Sequence, residues 1–148
     1  MRPGSRETSA MRSKIRRVAA YLWASPVSIA ALPLAALGAA TGGRLRVVGG
    51  VLEADGGALE PILAHAVPGF AIGAITLGHV VLGASPQELS ESRGHERVHV
   101  RQYERWGPLF PFVYFGASLL AMACRRSPYA GNAFELQAAR ESGEGFPA

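Results

Sequence analysis

The chain has 148 residues, a net charge of +4 and a single cysteine, Cys124. That is the length of one domain with appendages, and one cysteine excludes an internal disulfide and a cysteine-rich zinc module. Residues 1–17 carry +5 and the remaining 131 carry −1, so the basicity belongs to an N-terminal arm and gives no support to nucleic-acid binding by the body.

In chain order, residues 1–17 read as a polar, basic, disordered arm. Val18 to Ala40 is a run of 23 residues without a charge. As a helix it is about 35 Å long, enough to cross a bilayer. Tyr21 and Trp23 lie near its start, where amphipathic aromatics favour the interface, and Pro26 and Pro33 are tolerable in a membrane helix. The expectation is a transmembrane anchor over 18–40; a cleaved signal peptide and a buried core helix are the competing readings. The positive-inside rule then puts the N-terminus in the cytoplasm and the body outside the cell membrane, at its surface.

A zincin-like domain is expected over 41–141. Thr41-Gly42-Gly43 breaks the helix, Arg44 to Leu52 reads as a strand, and Ala54-Asp55-Gly56-Gly57 as a turn. Pro61 to Gly83 is a second apolar run. Its content of Ile, Val and Thr after residue 71 favours one or two buried strands over a membrane helix. Ser85-Pro86-Gln87-Glu88 starts a helix: Ser85 caps, Pro86 suits the first position and Glu88 completes a capping box. Gly107-Pro108 ends it, with a possible interruption at Gly94. Leu109 to Cys124 is a third apolar run, short for a span. A short helix capped by Asn132 follows, and residues 142–148 read as a flexible tail.

The chemistry is concentrated in Gly94 to Gln102, which contains His95-Glu96-Arg97-Val98-His99. On a helix, residues four apart share a face, so His95 and His99 can offer two imidazole nitrogens to one metal ion. Glu96 then lies beside the metal without being a ligand. This is the arrangement of zinc hydrolases, with the glutamate as general base. A solvated helix whose His and Glu pair only with arginines is the bland reading. Tetrahedral Zn2+ holding one water needs a third protein ligand. Among His65, His79, Glu104, Glu135, Glu141 and Glu144, Glu135 is preferred because it sits on a separate helix and can approach from the other side. Its bland role is capping-box partner of Asn132. Sharing a metal with His95 and His99 puts Glu135 on their side of any membrane, so 109–124 is expected to be a core helix or to lie on or dip into the bilayer. Possible supporting or substrate-contacting residues are His79, Gln102, Asn132 and Tyr103. Gln102 either hydrogen-bonds a ligand or packs, and His79 favours a structural role. Tyr103, Tyr114, Tyr129 and His79 are candidate oxyanion donors.

These residues resemble the gluzincin type of zinc metallopeptidase. They look most like small bacterial membrane-associated proteins in which a strand, here Ile75 to Leu82, precedes the His95 to Pro108 segment, with a hydrophobic segment and Asn132-x-Phe134-Glu135-x-x-Ala138 downstream. The resemblance covers about residues 71–140. It implies His95, His99 and Glu135 as metal ligands, Glu96 as base, and the preceding strand as the edge on which a peptide pairs. The expected fold is α+β and minimal zincin-like: an N-terminal membrane helix, a small antiparallel sheet, the His-Glu-x-x-His helix, a hydrophobic helix and a glutamate helix. The expected function is a membrane-anchored zinc peptidase acting on a peptide or protein substrate. A non-catalytic membrane protein with a structural metal clip or partner-binding role is the alternative. No oligomeric state follows from the sequence.

Overall fold

The computed structural model describes residues 4–143, with side chains from residue 8 onward. The chain is α+β: α1 (Gly4–Ala40), β1 (Arg44–Val48), β2 (Val51–Asp55), α2 (Leu59–His65), β3 (Ala74–Leu77), β4 (Val80–Gly83), α3 (Pro86–Trp106), a 3-10 turn (Gly107–Leu109), α4 (Phe110–Ala123) and α5 (Ala133–Ser142). The strands form one sheet in the order β1-β2-β4-β3. β2 pairs with β4 in parallel and the other two ladders are antiparallel. The expected antiparallel sheet is therefore mixed. The link through α2, a helix within the second apolar run, begins and ends at one end of the sheet, since Asp55 and Ala74 both pair with Gly83, and it delivers β3 to the outer edge. The hairpin at Gly78 then returns the chain between β3 and β2, so β4 runs beside β2 in the same direction.

Two tight turns make the hairpins. The expected single strand over 44–52 folds back at Gly49-Gly50, both at positive φ (55° and 81°), as a two-residue hairpin loop requires. Likewise Ile75 to Leu82 is not one strand. It turns at Gly78-His79, with Gly78 at φ 68°.

Helices cover both faces of the sheet. Ala31, Ala35, Ala54, Leu59, Leu63, Val80 and Leu82 form one core layer, on the α1 and α2 side. Val51, Val81, Leu89 and Val100 form the other, on the α3 side. All of β4 is buried, which is why Val80-Val81-Leu82 is continuously apolar rather than alternating. On the α3 side Glu53 is 1 % exposed and lies within 3.0–3.1 Å of guanidinium nitrogens of Arg46, Arg93 and Arg97.

α1 revises the expectations for the first 40 residues. Residues 4–17 are helical rather than disordered, continuing the apolar segment toward the N-terminus; residues 1–3 lie outside the described part. Pro26 has no N–H to give to the carbonyl of Leu22, and the Ser25 hydroxyl donates to that oxygen instead at 2.8 Å, which lets the helix continue. Thr8–Ala40, like Pro86–Ala123, is long and apolar enough to cross a membrane. Yet the sheet domain is seated along it. Tyr21 Oη donates to Gly50 O at 2.6 Å, His79 N to Ser28 Oγ at 2.9 Å, and Ala58 N to Thr41 Oγ1 at 2.7 Å. Ala24, Ser28, Ala31, Ala35 and Gly38 are the small residues of the seated face. The opposite face exposes Met11, Ile15, Val18, Leu22 and Ile29. Both ends of the uncharged run thus hold the same domain. The apolar run expected as an anchor over 18–40 is also a packing face of the domain.

Candidate metal centre

α3 is set by its ends. Ser85 Oγ accepts from Glu88 N at 3.2 Å and donates to a Glu88 carboxylate oxygen at 3.1 Å. Gly107, at φ 56°, closes the helix at the far end. Between them the helix runs without a break at Gly94, so His95 and His99 stand one turn apart and share a face. α5 packs against that face. Its start is fixed by Asn132, which is fully buried. Asn132 Oδ1 accepts from Phe134 N at 2.9 Å, while Nδ2 donates to Tyr114 O at 3.0 Å and Ser118 Oγ at 2.8 Å on α4. One side chain thus caps α5 and ties it to α4, placing Glu135 opposite the imidazoles. Glu135 is not the capping-box partner of Asn132.

His95 Nε2 lies 2.9 Å from Glu135 Oε2, and His99 Nε2 lies 3.3 Å from Glu135 Oε1 and 3.0 Å from His95 Nε2. Ligand atoms of a tetrahedral zinc site stand roughly 3.3 Å apart, so this triangle has the size of a metal site, and the three residues form a group able to hold an ion. The neighbours point the same way. Gln102 Nε2 donates to Phe134 O and Gln137 Oε1, both at 3.1 Å, so its Oε1 is the atom facing His99 Nδ1 at 2.7 Å. That oxygen can only accept. His99 Nδ1 therefore carries the proton, and the lone pair of Nε2 is turned toward the other two ligands. Tyr114 Oη donates to Glu135 Oε1 at 2.6 Å.

The site is nearly dry: the side chains of His95, His99 and Glu135 are 12 %, 10 % and 3 % exposed. Burial alone would raise the Glu135 pKa, but the two imidazoles outweigh it and hold that carboxylate far below its usual range. Burial likewise pulls His99 down, and Glu135 outweighs it, so His99 is raised. Glu96 goes the other way. Its burial outweighs the pull of His99, Thr76 and His95, and its pKa is raised. Thr76 Oγ1, on the edge strand β3, donates to Glu96 Oε2 at 2.6 Å.

Of the four possible supporting residues, Gln102 and Asn132 join the site. Tyr103 does not: it packs edge-on against Phe110 at 4.6 Å between ring centroids, in the aromatic cluster with Ala24. His79 is also elsewhere. It stacks on Tyr21 at 3.8 Å and pairs through Nε2 with Glu104 Oε1 at 3.0 Å. Glu104 is thus turned away from the ligand face. Sequence reasoning missed Thr76 and Gln137 and gave Tyr114 only a minor place. No spacing marks a threonine on a separate strand as the partner of Glu96. Comparison with known proteins found no family model, no curated protein and no solved structure that matches this chain.

Proposed function

We propose that this protein is a metal-dependent hydrolase of the gluzincin kind, cleaving peptide bonds at a Zn2+ site held by His95, His99 and Glu135. The observation that carries the proposal is the convergence of those three groups, with the carboxylate of Glu96 buried beside them. A bound Zn2+ supplies a lowered pKa for water and polarisation of a carbonyl. The chain's own residues supply the rest. Gln102 fixes the His99 tautomer, and Asn132 and Tyr114 fix Glu135. Glu96, buried beside the ligands, is placed to take a proton and return it to a leaving amine. Thr76 holds that carboxylate until substrate arrives. The free edge of β3 offers backbone groups to an extended peptide. The exposed apolar faces of α1 and α4 support attachment to a lipid bilayer.

One observation favours a second reading, a structural metal clip: the near-complete burial of the ligands suits a closed site. Glu96→Gln separates the two. A hydrolase keeps about one zinc per chain by elemental analysis and loses peptide cleavage by roughly a hundredfold or more. Zinc below about a tenth of an equivalent after supply would remove both readings.

A further inference from the structure

The reverse face of α3 carries a second feature, independent of the metal. Arg97, Arg101 and Arg105 recur every four residues there, on the side turned from His95 and His99. Across a groove of about 920 Å³ they meet Arg16 and Arg17 of α1. The sequence placed the positive charge in the arm alone. Because α1 runs back along the domain, arm and body arginines share one cleft.

Five guanidiniums on one groove repel unless something compensates them. Arg97 is engaged by Glu53 and Val48 O, and Arg101 by Glu141 on the exposed surface at 2.7 Å. Among the described residues no carboxylate pairs with Arg16, Arg17 or Arg105. The acid lining the groove, Glu104, is engaged by His79. The Tyr21 ring stacks on His79, and the Arg17 guanidinium carbon sits 5.9 Å from its centroid. The groove is therefore preformed and under-neutralised, lined by the side chain best suited to bind phosphate oxygens in pairs.

We infer that this groove binds a phosphate-bearing anion, either a soluble phosphate ester or the headgroup of an anionic lipid. A lipid source suits the exposed apolar stripe on the outer face of the same helix.

The test uses the full chain, stripped of metal by chelation so that phosphate cannot bind at the zinc ligands. Calorimetric titration with inorganic phosphate and glycerol 3-phosphate, and co-sedimentation with phosphatidylglycerol-containing or pure phosphatidylcholine vesicles, form the two arms. Saturable binding is expected in at least one arm, weakened about tenfold or more by Arg17→Gln with Arg105→Gln. Arg125→Gln, an exposed arginine outside the groove, should leave it unchanged. Binding of the soluble anions assigns a phosphate ester. Binding only to the anionic vesicles, with the same response to the variants, assigns a headgroup. The inference is overturned if neither arm binds, if only nucleic acid binds, or if the Arg125 variant weakens binding as much as the groove variant does. Both groove arginines are exposed, and circular dichroism checks that the variant is folded.

Discussion

Gln102 shows how much of this site depends on a single amide. Its two donor contacts orient its oxygen, and that oxygen sets which nitrogen of His99 carries the proton. Gln102→Leu keeps the volume and removes the lock. The expected result is metal affinity weaker by about 10- to 100-fold, read by competition with a chelating dye on variant protein that circular dichroism shows to be folded. An unchanged affinity would mean that His99 is oriented by packing alone. Glu53 tests a different kind of buried charge. Burial raises its pKa, but Arg93, Arg46 and Arg97 outweigh that and hold it below the usual value. A carboxylate lowered on folding gives stability that is full above the unfolded value, about 4.3. It is lost as the pH falls through the folded value. Thermal unfolding should therefore show stability falling below about pH 4.3. Glu53→Gln should be less stable at neutral pH by about 1–3 kcal/mol, because the arginines it leaves are 23–36 % exposed, and flatter across the acid range. Equal acid slopes would show that other carboxylates govern the response.

At the scale of elements, the two hairpins and α1 depend on each other. Gly78 turns the β3–β4 hairpin against α1 with positive φ, and a Cβ there would lie 2.2 Å from Ser28 Oγ and 2.9 Å from Ser28 N. The backbone of α1 cannot move aside without unseating Ala31 and Ala35 from the core. Gly78→Ala should cost roughly 2–3 kcal/mol from strain and clash together, measured by chemical denaturation. It should also loosen Thr76 and so the contact to Glu96. A cost below about 0.5 kcal/mol would mean that the hairpin is not held against the helix. α4 adds a second constraint at this scale. It reaches Asn132 and Glu135 through Tyr114 and Ser118 but leaves Phe112, Phe115, Leu119 and Leu120 exposed. It therefore supports the metal helix on one side and offers an apolar surface on the other.

For the whole molecule, the consequence concerns sidedness. Tyr21 and Thr41 both bind the same sheet domain, so the arm and the half that carries His95, His99 and Glu135 are expected on one side of any membrane. Ser9→Cys on the arm and Glu91→Cys on the body, each with Cys124→Ser, place a single thiol at exposed positions. A membrane-impermeant maleimide should label both from the same side of sealed vesicles. Labelling from opposite sides would establish the crossing anchor and unseat the domain from α1.

The sequence by itself determined the candidate metal ligands and their local supports. The His95–His99 spacing is a property of one helix, Ser85 and Asn132 are caps acting within a few residues, and the apolar run at Val80-Val81-Leu82 marks a strand buried on both faces. Glu135 was reachable by elimination, because the ligand count of zinc demanded a third group. Only the tertiary structure decided what depends on packing between distant segments: the parallel entry of β4, Thr76 on Glu96, the separation of His79 from the site, and the seating of the sheet along the 23 uncharged residues of α1. Hydropathy reports that a surface leaves water, whereas the partner that receives it, lipid or a β-sheet, is set by which other segments the chain brings alongside.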